Sequence, residues 1–139
     1  MAESKEFQVW YRRFRPSVSI ARAGSRDLAK LWGLPHLIDP LEWVVTELVT
    51  NAITHGQAMR GSHVAVTYHL DDTRLRIEVR DAATGVPTLT PPLLGDEDAG
   101  RGLHLVAALS DTWGVKRNVI GKTVWAHLAV TPEEPPDAR

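Results

Sequence analysis

The chain has 139 residues, 43% of them hydrophobic and 24% charged, with a formal net charge of −1. That suits one compact domain with a real core, excludes extended disorder, and leaves no global pull toward nucleic acid or an anionic membrane. No cysteine is present, which excludes disulfides and thiolate metal sites, and there is neither a long apolar run nor a signal-peptide core, so a cytoplasmic protein is expected.

Residues 1–30 carry Lys5, Arg12, Arg13, Arg15, Arg22, Arg26 and Lys30 against Glu3, Glu6 and Asp27. A solvated surface is the simplest reading and a docking face for an acidic protein the second. A nucleic-acid surface ranks behind both, because such domains concentrate far more positive charge. Within this segment, residues 7–15 (FQVWYRRFR) read as a strand. Pro16 then opens a helix whose Ile20, Gly24, Leu28 and Leu31 share one face, with Gly33 as its stop and Pro35 beyond. A second helix is the best-marked element. Asp39 is its expected cap, Pro40 suits its first turn, and Glu42 completes a capping box. Leu41, Val44, Val45, Leu48 and Ala52 form its apolar stripe, and Gly56 suits its end.

Two alternating segments follow. Val64, Val66, Tyr68 and Leu70 oppose His63, Ala65, Thr67 and His69. Leu75, Ile77 and Val79 oppose Arg74, Arg76, Glu78 and Arg80, and Asp71 and Asp72 mark the turn of a hairpin. One face is apolar and the other wet, as in an antiparallel sheet covered on one side only. Residues 82–99 read as a loop with an acidic triplet, Asp96 to Asp98. A helix from about Gly102 to Ser110 is expected next. Two strands near 112–118 and 122–130 then flank Gly121, with Val124, Ala126, Leu128 and Val130 pointing inward. The order implies an α+β protein, a two-layer sandwich with a mostly antiparallel sheet covered by helices on one face. Residues 1–15 form an N-terminal strand or arm, 16–130 the domain, and 131–139 a disordered tail.

Three segments carry candidate chemistry. In E-L-V-T-N-A-I-T-H-G (Glu47 to Gly56), Glu47, Asn51 and His55 are four apart, along a side of the helix that is not its apolar stripe. A carboxylate and an amide oxygen one turn apart suit a hard cation such as magnesium. Glu47 is then free to orient or deprotonate a nucleophile. In R-D-A-A-T-G-V-P, Asp81 ends a strand where a carboxylate can accept from an exocyclic amine such as that of adenine. Gly85 lets backbone approach a flat ring. In A-G-R-G-L-H-L-V, Gly100 and Gly102 bracket a helix start, where open N–H groups bind anions, and Arg101 adds charge. Each segment alone also describes an ordinary polar face, turn or hinge; together they converge on a purine nucleotide. No G-x-x-x-x-G-K-S/T is present, so the site is not a P-loop.

These segments resemble the GHKL (Bergerat-fold) ATPase superfamily of histidine kinases, gyrase and MutL over roughly residues 15–130. The nearest resemblance is to the bacterial anti-sigma-factor serine/threonine kinases of the RsbW and SpoIIAB type. The Glu47–Gly56 segment resembles the N-box, G-R-G-L-H-L-V the second glycine box, and Asp81 the aspartate of the first. By resemblance, Asn51 holds magnesium, Glu47 is the catalytic base and Asp81 recognises adenine. Gly100, Gly102 and Leu103 face the phosphates, residues 86–99 form a lid, and Thr123 supports the adenine site. One departure stands out: Ala83 replaces the first glycine of D-x-G-x-G, while Gly85 keeps the second. Alanine there is costly only where φ is positive.

The resemblance implies an ATP- and magnesium-dependent kinase that phosphorylates an anti-anti-sigma (STAS-type) partner and sequesters a sigma factor. Relatives suggest a homodimer. No phosphoacceptor helix pair or sensor precedes the module, so an ordinary histidine kinase is not expected. The alternative is a catalytically weak or nucleotide-free module that regulates a partner by contact alone, and Ala83 favours it.

Overall fold

The computed structural model describes residues 4–55, 63–81, 106–118 and 121–130. The expected end of the second helix at Gly56, the loop 82–99, the helix start at Gly102 and the tail 131–139 fall outside the described residues. The described elements are β1 (Lys5–Arg12), α1 (Pro16–Leu31), a 3-10 turn (Pro35–Leu37), α2 (Ile38–His55), β2 (His63–Leu70), β3 (Arg74–Asp81), β4 (Thr112–Arg117) and β5 (Lys122–Ala129). Residues 106–109 are helical.

The strands form one sheet in the order β1-β2-β3-β5-β4, and every neighbouring pair is antiparallel. β2–β3 and β4–β5 are sequential hairpins. β1 comes first in the chain yet pairs along its whole length with β2, so it belongs to the same sheet as the rest. Both helices lie on one face, α2 against β2, β3 and β5 and α1 beside it against β1. This is the expected α+β sandwich.

α2 sets the core. Leu41, Val44, Val45, Leu48, Val49 and Ala52 are all buried, against Val64, Val66, Tyr68, Leu75, Ile77 and Val79 of the sheet. Each fully buried aliphatic contributes about 1.5–3 kcal/mol, so this stripe outweighs any capping effect at the helix ends. The capping box is not formed. α2 begins at Ile38, directly after the 3-10 turn, so Asp39 lies within its first turn. Glu42 is buried at 7% exposure, and its carboxylate meets Arg26 at 2.7 Å and Arg22 at 3.7 Å on α1. It ties the two helices together.

α1 rotates away from the expected face. Ile20 and Leu31 are 55% and 78% exposed, while Ser17, Ala21, Ser25, Leu28 and Ala29 are buried. Small residues let α1 approach α2 and β1 closely, and Ser17 and Ser25 satisfy their hydroxyls on the carbonyls of Arg12 and Arg22. The helix ends as expected at Gly33, at φ 71°. The N–H of Leu34 bonds to the carbonyl of Ala29 at 2.8 Å and that of Gly33 to Lys30 at 3.2 Å, a Schellman closure. Gly121 has φ 77° in the β4–β5 turn.

β1 stops at Arg12, short of the expected residue 15, because the chain turns there. The N–H of Phe14 and the hydroxyl of Ser17 both bond to the carbonyl of Arg12. The sheet's outer face is not uniformly wet: Ala65 and Thr67 are buried, and Gln8 donates to the Thr67 hydroxyl at 2.9 Å. Arg76 lies over the Trp125 ring at 4.6 Å. It also reaches His127 Nε2 at 2.9 Å, while Thr112 Oγ1 lies 2.8 Å from Nδ1. Arg74 Nη1 lies 3.2 Å from Nδ1 as well, so both ring nitrogens face arginine donors, an environment that favours the neutral imidazole. Desolvation, then the charges of Arg76 and Arg74, push the His127 pKa below its ordinary value.

Two predictions follow from this packing. Gly33→Ala places a Cβ at positive φ and is expected to cost about 1–2 kcal/mol in urea unfolding. For His127, the unfolded ring takes a proton at a higher pH than the folded ring, so folded stability is lost as pH falls. Between about pH 7 and about pH 5, unfolding free energy is therefore expected to fall more steeply in the native chain than in His127→Gln.

Candidate functional site

The site lies where the second half of α2 meets the end of β3. The burial of Leu48 and Val49 fixes the rotation of α2, and that rotation brings Glu47 and Asn51 to a half-buried flank beside the core stripe. Neither side chain makes a hydrogen bond or ion pair among the described residues. A half-buried carboxylate and amide one turn apart are oxygen donors of the kind that fit a hard cation with phosphate oxygens completing its shell.

Asp81 ends β3 and faces the helices. The register places it opposite Val64 and Lys122. It is 3% exposed. Arg13, in the turn after β1, donates from Nη1 to Asp81 Oδ1 at 2.9 Å, with both side chains buried at 5% exposure. The other Arg13 nitrogen, Nη2, donates to the carbonyl of Ala52. One guanidinium thus spans from Asp81 to the residue next to Asn51. The Glu47/Asn51 helix flank and the strand-end carboxylate, far apart in sequence, are thereby joined in space.

Thr123 departs from the expectation. It pairs with Arg80, whereas Asp81 pairs with Lys122. Side chains alternate along a strand, so Thr123 projects from the outer face, away from Asp81. There its hydroxyl accepts from Asn118 Nδ2 at 2.8 Å. The residue on the Asp81 side is Lys122. Its pKa is lowered by burial, with the Asp81 charge opposing that shift and Arg13 adding to it. Gly85, Gly100, Arg101, Gly102 and Leu103, and Ala83 with them, lie outside the described residues.

Arg13 and Lys122 are the site residues that the motifs do not reveal. A signal for both exists in the alternation. Inward Val9 and Tyr11 put residue 13 on the helix side if the strand's parity continues, and inward Val124, Ala126 and Leu128 put Lys122, not Thr123, beside Asp81.

A buried pair of this kind couples stability to both partners. Asp81→Ala strands a buried guanidinium and is expected to cost about 3–5 kcal/mol by urea unfolding. The double variant with Arg13→Leu is expected to recover part of that loss, and simple additivity of the two single losses would show that the pair is not coupled.

A layer of helices on one face of an antiparallel sheet, with a polar site between a helix flank and a strand end and no P-loop, defines a GHKL-type ATPase domain. Residues 15–128 match the family described as histidine kinase-like ATPase domain, and the chain belongs to that family. It is also 38% identical over 52 residues to the anti-sigma F factor of Clostridium acetobutylicum, a match that covers 37% of this chain and 36% of that relative. No described helix is long and apolar enough to cross a membrane.

Proposed function

We propose that the chain binds ATP with magnesium between α2 and the end of β3 and acts as a serine/threonine kinase. Its substrate in this reading is an anti-anti-sigma protein, and it also sequesters a sigma factor. The observation that carries the nucleotide reading is the Arg13 bridge, which holds Asp81 beside the Glu47/Asn51 flank of α2. Membership in the ATPase family supports ATP as the ligand. The anti-sigma part rests on the partial likeness to an anti-sigma F factor.

Each residue then has a role. Asp81 accepts a hydrogen bond from the exocyclic amine of adenine. Asn51 would hold magnesium, and the chemistry the ion would supply there is neutralisation of the phosphate charge. By the resemblance to the family, Gly100, Arg101, Gly102 and Leu103 would contact the phosphates and Gly85 the ring. Glu47 takes the proton from the attacking hydroxyl as its oxygen bonds to the γ-phosphorus and the β–γ bridging bond breaks, releasing ADP. Positioning and charge neutralisation supply most of the rate in such transfers. A residue that only accepts a proton contributes about 10²–10⁴-fold.

Calorimetry with ADP and ATP, with and without magnesium, is the first test, and absence of binding removes the reading. Asn51→Ala is expected to abolish the magnesium-dependent part of ATP affinity. Glu47→Gln is expected to keep nucleotide affinity while lowering labelled phosphate transfer to a partner by about 10²–10⁴-fold. Transfer at the native rate in Glu47→Gln would show that another group takes the proton.

A further inference from the structure

Arg13 is the buried cation of this site that no motif predicts, and its geometry is more specific than a core ion pair requires. It sits in the tight turn between β1 and α1, fixed by the bonds of Phe14 and Ser17 to the Arg12 carbonyl. Its planar fork then divides: Nη1 goes to the Asp81 carboxylate and Nη2 to the Ala52 carbonyl. A lysine, with one compact charge on a flexible stem, does not reproduce a divided fork. A carboxylate has about four lone-pair positions. By taking one on Oδ1, Arg13 restrains the rotation of the group and hence the directions in which Asp81 accepts. Because Ala52 adjoins Asn51, the same guanidinium also fixes the distance between the strand end and the helix flank.

We propose that Arg13 is a positioning residue for nucleobase selection, orienting Asp81 so that it accepts from an amino-purine and discriminates against an oxo-purine. This rests on the reading of Asp81 as the base-recognition carboxylate. A residue that only stabilised the fold would affect all nucleotides alike. A residue that aims Asp81 affects the preference between bases. Lys122 shares the Asp81 row of the sheet and is a second positive charge at this end.

The test is calorimetric affinity for ADP and GDP, with magnesium, in the native chain, Arg13→Gln and Arg13→Lys, with thermal melts run on each. The native chain is expected to prefer ADP. Arg13→Gln is expected to weaken ADP by about tenfold or more, the scale of one charge-assisted hydrogen bond, while GDP changes little, so the preference collapses. Arg13→Lys, which keeps the charge but not the fork, is expected to fall between the two. If Arg13→Gln does not fold, Arg13→Lys alone decides: a native ADP-to-GDP ratio overturns the proposal and a reduced ratio sustains it. Equal weakening of both nucleotides in either variant also overturns it, since that is the mark of a structural role. A native chain that binds ADP without any preference over GDP removes this inference but leaves nucleotide binding intact. A native chain that binds neither removes the functional reading itself.

Discussion

The buried pair of Arg13 and Asp81 is the contact on which the candidate site depends. Its two residues are 68 apart in the chain, and the guanidinium that joins them also holds the backbone of α2. Three elements therefore meet at one planar group: the turn after β1, the last residue of β3, and the second half of α2. A charge in this surrounding is tolerated only when it is paired and hydrogen-bonded. Both conditions are met within the protein, so the carboxylate is in place before any ligand arrives.

α2 shows how one helix can serve the core and the site. Its apolar stripe is wide, from Leu41 to Ala52, and almost completely buried. Such burial fixes rotation about the helix axis, because turning the helix would expose valines and leucines and bury Glu47 and Asn51. The flank that carries these two residues is thus held by the packing of the neighbouring stripe. α1 contributes differently. It offers small residues inward and lets Arg22 and Arg26 clasp the Glu42 carboxylate, which locks the two helices together behind the site.

The sequence makes the architecture legible because its strongest signals are periodic. The α2 stripe, both hairpins and the Gly33 stop all survive in the structure. What failed were readings that lean on a local rule where a tertiary contact wins. Glu42 has the spacing of a capping box, yet two arginines on another helix claim it. Ile20 and Leu31 look like a buried face, yet serine and alanine allow closer packing than they do. Motif resemblance assigns Thr123 to the adenine site, whereas the register pairs Thr123 with Arg80 and puts Lys122 beside Asp81. Arg13 belongs to a basic segment whose composition reads as solvated, and only the inward parity of Val9 and Tyr11 marks it as turning toward the helices.

The position of β1 gives the site a thermodynamic partner. β1 enters the sheet only by pairing with β2, with Lys5 opposite Leu70 at one end and Arg12 opposite His63 at the other, and Arg13 follows directly behind it. Any molecule that relies on the orientation of Asp81 binds only those chains in which this first strand is docked. By mass action, such a molecule at a hundred times its dissociation constant favours the docked form by about 2.7 kcal/mol. Occupancy of the cleft and retention of the N-terminal strand are thereby two readings of a single equilibrium.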